Sequence, residues 1–145
     1  MVAYLDSSVI LRHILLGEIA ITHALACPRV ITSELTEIEC RRVIHRYRLN
    51  GDLGDDGLLT AMGRLDSVLA GVSVVELGAA VKRRAMGTFP LVVKTLDALH
   101  LATVILYAES LAASPESEHL LLFSHDRGMN RCAAALGFAT PFRGE

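Results

Sequence analysis

Short apolar segments alternating with helical patterns predict an α/β fold, a central parallel sheet covered by helices on both faces. Three observations carry this. Residues 2–5, 30–31, 72–75 and 120–123 are brief runs dominated by Val, Ile, Leu and aromatic side chains. Between them, apolar residues recur at helical spacing, as in Val9, Ile10, Ile14 and Leu15. Turn formers then punctuate the pattern at Gly17, Asn50-Gly51 and Gly71.

Taken in order, residues 2–5 form a strand that stops at Asp6-Ser7-Ser8, where Ser7 or Ser8 starts a helix ending at Gly17. A short helix is expected over 18–26. Pro28 and Arg29 open the next strand, Val30-Ile31, and Thr32 or Ser33 caps a long helix to about Leu49. Asp55 or Asp56 begins a helix whose face carries Leu58, Leu59, Met62, Leu65 and Leu69. Residues 72–75 are a strand, 77–86 a helix and 87–90 a loop. Thr95 caps the strongest helix, to about Ser110, before a polar loop over 112–118. Residues 120–123 are the clearest strand, Asp126 sits at the turn after it, and a last helix reaches Leu136. Phe138-Ala139-Thr140 is expected as a final strand.

At 145 residues the chain has the length of one domain and can support a real core. With 52% hydrophobic residues it carries more apolar material than a core of this size needs, which fits a dimer or a bound partner. The apolar run 101–108 falls well short of the roughly 20 residues a membrane span needs. No basic stretch precedes an apolar core at the N-terminus, so no signal peptide is expected. Cys27, Cys40 and Cys132 show no CxxC spacing and are expected as small buried hydrophobes in a reducing cytoplasm.

Four acids stand against apolar runs: Asp6, Glu39, Asp97 and Asp126. A buried, unpaired carboxylate costs several kcal/mol or changes its pKa. Four in one small domain point to mutual compensation through a bound divalent cation, and hard cations take oxygen ligands. In open α/β sheets, ligands gather beyond the carboxyl ends of the strands. Asp6 and Asp126 follow strands, and Asp97 and Glu39 lie in the first and second turns of helices, so all four can face that edge. Glu39 interrupts the apolar row Leu35, Glu39, Val43, whereas Glu37 pairs with Arg41 at i+4 and Glu34 suits the helix start. Asp97 also suits a helix N-terminus, with His100 within hydrogen-bonding reach. Asp6 also suits an N-cap, and Asp126 a turn with Ser124.

Net charge is −2, and setting aside the four negative charges of these acids leaves the remainder at +2. Basic residues cluster at Arg41, Arg42, His45, Arg46 and Arg48, and again at Lys82-Arg83-Arg84. Such rims can hold a phosphate backbone around a neutralised acidic pocket, or simply form solvated helix faces. Other chemistries lack their signatures. There is no HExxH, GxSxG, Walker or GxGxxG pattern. Ser124-His125-Asp126 are consecutive, so their side chains diverge and form no triad.

Tyr4-Leu5-Asp6-Ser7-Ser8, Ser33-Glu34-Leu35-Thr36-Glu37-Ile38-Glu39, Leu96-Asp97-Ala98-Leu99-His100-Leu101-Ala102 and Phe123-Ser124-His125-Asp126-Arg127 resemble the successive motifs of PIN-domain ribonucleases, and particularly the VapC toxins of bacterial type II toxin–antitoxin pairs. The resemblance implies a single PIN-like three-layer α/β/α domain over 1–145, with a central parallel sheet of four to five strands. It implies that Asp6, Glu39, Asp97 and Asp126 hold Mg2+ or Mn2+ and are catalytic, with Ser7, Ser124 and His100 supporting them. Arg41, Arg42, Arg46 and Arg127 are the candidates for substrate binding. The implied activity is endonucleolytic cleavage of RNA, often tRNA or rRNA, by a cytoplasmic toxin. The implied partners are a cognate VapB-type antitoxin, a second copy of the chain and a toxin–antitoxin hetero-oligomer. The alternatives are a PIN nuclease of RNA processing and a non-catalytic RNA- or protein-binding module. Two departures stand out. Cys40 follows Glu39 where a small aliphatic residue is more usual, and Gly128 loosens the turn after Asp126-Arg127.

Overall fold

The computed structural model describes residues 1–116 and 118–142. Its elements run β1 (Val2–Leu5), α1 (Ser7–Leu16), α2 (Ile21–Leu25), β2 (Arg29–Ser33), α3 (Glu34–Leu49), α4 (Asp55–Ala70), β3 (Ser73–Val75), α5 (Ala79–Ala85), α6 (Thr95–Ala112), β4 (Leu120–Phe123) and α7 (Arg127–Ala135). The four strands form one sheet in the order β3-β2-β1-β4, and every pairing is parallel. The expected fifth strand is a single parallel bridge, Leu121 to Ala139, tied by Leu122 N–H donating to the Ala139 carbonyl at 3.0 Å. Pro141 follows two residues later and has no N–H to continue a ladder. Ser117, within the loop expected over 112–118, lies outside the described residues.

Period-two alternation sorts the strands between two cores. Ala3, Leu5, Val30 and Phe123 face one side and pack with Val9, Ile10 and Ile14 of α1, Cys40 and Ile44 of α3, and Leu65 of α4. Val2, Tyr4, Ile31, Leu120 and Leu122 face the other, against Leu101 and Val104 of α6 and Met129 and Cys132 of α7. β1 is wholly buried because it has sheet on both edges and helices on both faces. Among the described residues no helix is long and apolar enough to cross a membrane.

Helix ends follow local chemistry. Asp6, not a serine, caps α1: its backbone is extended and its side chain accepts from Ser8 N–H. Gly17 closes the helix in the left-handed region at φ 70°. Its N–H reaches the His13 carbonyl and that of Glu18 the Arg12 carbonyl, a closure that a side chain at this φ would strain. Ser33 caps α3 through Leu35 N–H. At α6 the cap position is Lys94, without a side-chain capping bond, and Thr95 is the first helical residue.

Chain direction places the site. From β1 the sheet grows through β2 to β3, and the chain then returns to β4 on the other side of β1. The reversal opens a crevice at the carboxyl ends of β1 and β4, the usual ligand position in such sheets.

Candidate active site

Asp6 and Asp126 lie directly beyond β1 and β4, on the two walls of that crevice. Asp6 is buried. Its Oδ2 accepts the hydroxyls of Ser8 at 2.7 Å and Ser124 at 2.8 Å. These two hydroxyls also fix the opposite wall. Ser8 Oγ accepts from His125 N–H at 2.9 Å, and Ser124 Oγ accepts from Asp126 N–H at 2.9 Å. Asp6 and Asp126 are thus joined through two serines, an arrangement that holds the ends of β1 and β4 in register.

Asp126 is exposed and caps α7, its Oδ1 accepting Met129 N–H at 2.8 Å. The turn that Gly128 was expected to loosen is closed by this cap, and Gly128 is an ordinary residue of α7. Below it, Asn130 Nδ2 donates to the carbonyls of Ser124 and Phe142, both at 2.8 Å. The rings of His125 and Phe142 stack in parallel above, with centroids 5.0 Å apart.

Glu39 and Asp97 arrive from α3 and α6. His100, one turn along α6 from Asp97, is fully buried and links the layers. Its Nε2 donates to Glu39 Oε1 at 2.5 Å and lies 3.7 Å from Asp6 Oδ1. Its Nδ1 bonds the Tyr4 hydroxyl at 2.6 Å. Burial lowers the His100 pKa, but its hydrogen bond to Glu39 and the charges of Asp6, Glu39 and Asp97 outweigh burial and raise it.

Asp97 is half-buried, and its pKa is pushed up to about 6. Burial is the first cause, followed by the charges of Asp126 and Asp6 and, more weakly, Glu39, with His100 opposing. Asp97 therefore sits within electrostatic range of the other three carboxylates. Among the described residues no three His, Cys, Asp or Glu side chains are drawn together into a closed metal cage. Magnesium keeps several waters beside one or two carboxylates, a demand that an all-oxygen edge meets without such a cage.

The remaining expected residues distribute unevenly. Ser8, not Ser7, supplies the hydroxyl that reaches Asp6, while Ser7 is buried in the first turn. Arg41 bridges α3 to α4, bonding Glu37 at 3.2 Å and Asp66 at 2.9 Å. Arg42 and Arg46 are exposed on α3, and Arg127 is exposed at the first position of α7, next to Asp126. Cys40 packs in the core, and burial, then the Glu39 and Asp6 charges, push its thiol up to about 12. Beside Asp97, a groove of about 730 Å³ runs between α5 and α6, lined by Met86, Phe89, Val93, Ala98 and Leu99 among others. Sequence reasoning missed Tyr4, Ser8 and Asn130. Tyr4 was discoverable, since it lies two residues before Asp6 and so on the same face of the strand.

Comparison with known proteins bears on the fold. Over 97% of both chains, the fold superposes with a TM-score of 0.63 on a chain of the VapBC2 complex from Rickettsia felis bound to a promoter DNA fragment, at 12% identity. It superposes with a TM-score of 0.62 on a toxin–antitoxin complex from Klebsiella pneumoniae, at 20% identity, covering 97% of this chain and 98% of that one. At these identities the likeness is one of fold. No curated protein matches the chain. The PIN domain family profile matches residues 3–134, which span the four strands and seven helices except the first residue of β1 and the last of α7; the chain belongs to the PIN domain family.

Proposed function

We propose that this chain is a metal-dependent endoribonuclease acting as the toxin of a toxin–antitoxin pair in the cytoplasm, with Asp6, Glu39, Asp97 and Asp126 as its catalytic carboxylates. The observation that carries this reading is Asp97, whose proton affinity is raised by burial and by the other three acids together. Four elements deliver uncompensated negative charge to one sheet edge, where a hard cation satisfies it. The donor set is all oxygen, and the nearest thiol, Cys40, is buried in the core and protonated. Such a set suits Mg2+ or Mn2+.

The four carboxylates hold the cation. When bound, the metal supplies an activated water and neutralises charge on the phosphodiester. The chain's own residues do the rest. Ser8 and Ser124 hold Asp6 Oδ2, and His100 holds Glu39, so that the acids keep their places while the substrate enters. Arg42, Arg46 and Arg127 offer charge for the RNA backbone. Arg41 is less available, because α4 engages its guanidinium. Hydrolysis by water leaves a 5′-phosphate and a 3′-hydroxyl and does not require the 2′-OH. The toxin reading draws support from the fold's likeness to chains of toxin–antitoxin complexes. Apolar side chains left exposed beside Asp97, Met86 and Val92 among them, offer an antitoxin or a second copy a surface.

The test is incubation of purified chain with total cellular RNA, followed by end-sequencing, with Mn2+, with chelator, and with Asp97→Asn. Discrete metal-dependent cuts bearing 5′-phosphates and absent from the variant are expected. Cyclic phosphate ends, or undiminished cutting by the variant, would refute the assignment.

A further inference from the structure

Tyr4 occupies the centre of the middle strand and is fully buried. A phenylalanine fills that space without burying a hydroxyl, and a buried hydroxyl left unpaired is destabilising. The hydroxyl instead meets His100 Nδ1 at 2.6 Å. The two rings cross edge to face, with centroids 5.9 Å apart and planes at 77°. The imidazole, itself without exposed surface, then meets Glu39 Oε1 at 2.5 Å through Nε2. A carboxylate only accepts, so Nε2 is the donor whichever protonation state the ring adopts. The Tyr4 hydroxyl can donate to a neutral ring or accept from a charged one. With both nitrogens engaged, the ring cannot flip without losing both partners. One end of this chain is anchored in the sheet and the other ends on an acid of the candidate site.

We propose that Tyr4 and His100 are positioning residues, a buried clamp running from β1 through α6 that fixes Glu39 of α3 beside Asp6 in the orientation that receives the cation. The clamp rests on the metal-dependent reading above. It explains why the helical layers on the two faces of the sheet are joined at its edge by a polar line where apolar packing would serve stability as well. Glu39 Oε1 and Asp6 Oδ2 are the oxygens held by protein groups. Groups that hydrogen-bond metal ligands from behind typically change metal affinity or activity about 10–100-fold when removed.

The test is equilibrium Mn2+ binding, with free Mn2+ read by electron paramagnetic resonance, alongside RNA cleavage as a function of Mn2+. Wild type is compared with Tyr4→Phe, His100→Gln and His100→Asn. Glutamine carries an amide nitrogen near the place of Nε2 and keeps a donor toward Glu39, whereas asparagine carries one near Nδ1 and does not. Tyr4→Phe and His100→Asn are expected to bind Mn2+ about 10–100-fold more weakly. Their half-saturating Mn2+ for cleavage should rise by the same factor, with turnover recovering at saturating metal. His100→Gln, which keeps the donor toward Glu39 but gives up the Tyr4 bond, should fall no further than Tyr4→Phe, and His100→Asn should fall below both. A role in packing alone predicts no such split between Gln and Asn. Unchanged Mn2+ affinity in Tyr4→Phe and His100→Asn, with the wild type binding normally, overturns the clamp and leaves the nuclease reading intact. Failure of the wild type itself to bind Mn2+ overturns the metal reading and the clamp with it.

Discussion

Replacing Asp97 by Asn should stabilise the metal-free protein at neutral and alkaline pH, although it removes one of the proposed catalytic carboxylates. Asp97 ordinarily titrates near 3.8, and here its pKa is pushed up to about 6, by burial first and then by Asp126, Asp6 and Glu39. At 1.36 kcal/mol per pH unit this displacement corresponds to at most about 3 kcal/mol. The side chain is half-buried, so solvent screening leaves about 1–1.5 kcal/mol. Asn also forgoes the favourable charge at the start of α6, worth about 0.3–1 kcal/mol. The net gain lies between about 0 and 1.2 kcal/mol, centred near 0.6 kcal/mol. Its sign depends on pH. Between about pH 4 and 6 the folded chain keeps a proton that the unfolded chain has released, so stability falls as pH rises through that window. Urea denaturation in chelator should therefore show the variant ahead at pH 8 and level with wild type below pH 4. On the proposed metal-binding role, added Mn2+ should reverse the order, since ligand at 100 times its Kd stabilises by about 2.7 kcal/mol and the variant lacks one of the proposed ligands. A variant no more stable than wild type at pH 8 in chelator, or a gain indifferent to pH, would refute the reasoning.

Three other consequences concern the scaffold. Thr32 is fully buried, donating to the Leu5 carbonyl at 2.7 Å and lying 2.7 Å from the Thr36 hydroxyl; Thr32→Val should cost about 1–3 kcal/mol in urea denaturation by orphaning those groups. Cys40 should resist alkylation in the native protein, because it is buried and its thiol is pushed up to about 12, while half-buried Cys27 reacts first, as peptide mass spectrometry would reveal. Gly128→Ala should raise the melting temperature, since alanine favours a helix by about 0.8–1 kcal/mol. The new Cβ would meet only Asp126 Oδ1, at 3.4 Å.

The fold was legible wherever periodicity and punctuation agreed. Apolar runs without polar alternation marked strands buried on both faces, and β1 and β4 appear where they were expected. Strand lengths were harder. β2 extends to Ser33 because Thr32, polar in sequence, is satisfied internally by the Leu5 carbonyl and Thr36. The last strand shrank to one bridge at Ala139. Three residues of strand-like composition do not make a strand when the chain reaches the sheet only once before turning away at Pro141-Phe142. The helix over 77–86 is shorter, Ala79–Ala85, because Gly78 is extended and serves as its cap, while Leu77 N–H donates to Glu34 Oε1 at 2.6 Å, a long-range bond that local pattern cannot foresee.

At the acidic edge, the acids were visible because a carboxylate beside apolar neighbours is costly, and cost is a property of sequence context. Their partners were less visible because partnership depends on backbone direction. Ser7 looked the natural companion of Asp6. The extended backbone at Asp6 instead makes it the cap, so Ser7 turns inward and Ser8, two residues on, returns over the carboxylate to bond it at 2.7 Å. His100 could be placed near Asp97 by helical spacing, yet its strong bond goes to Glu39, on a helix contributed some sixty residues earlier. That choice follows from geometry. Asp97 lies in the first turn of α6 toward solvent, whereas His100 lies one turn deeper, level with the end of β1. A histidine at that depth must be satisfied at both nitrogens, and only groups from two other layers are within reach. The features that sequence hid are thus the contacts between layers, such as the His100 ring that bonds Glu39 and lies 3.7 Å from Asp6 Oδ1.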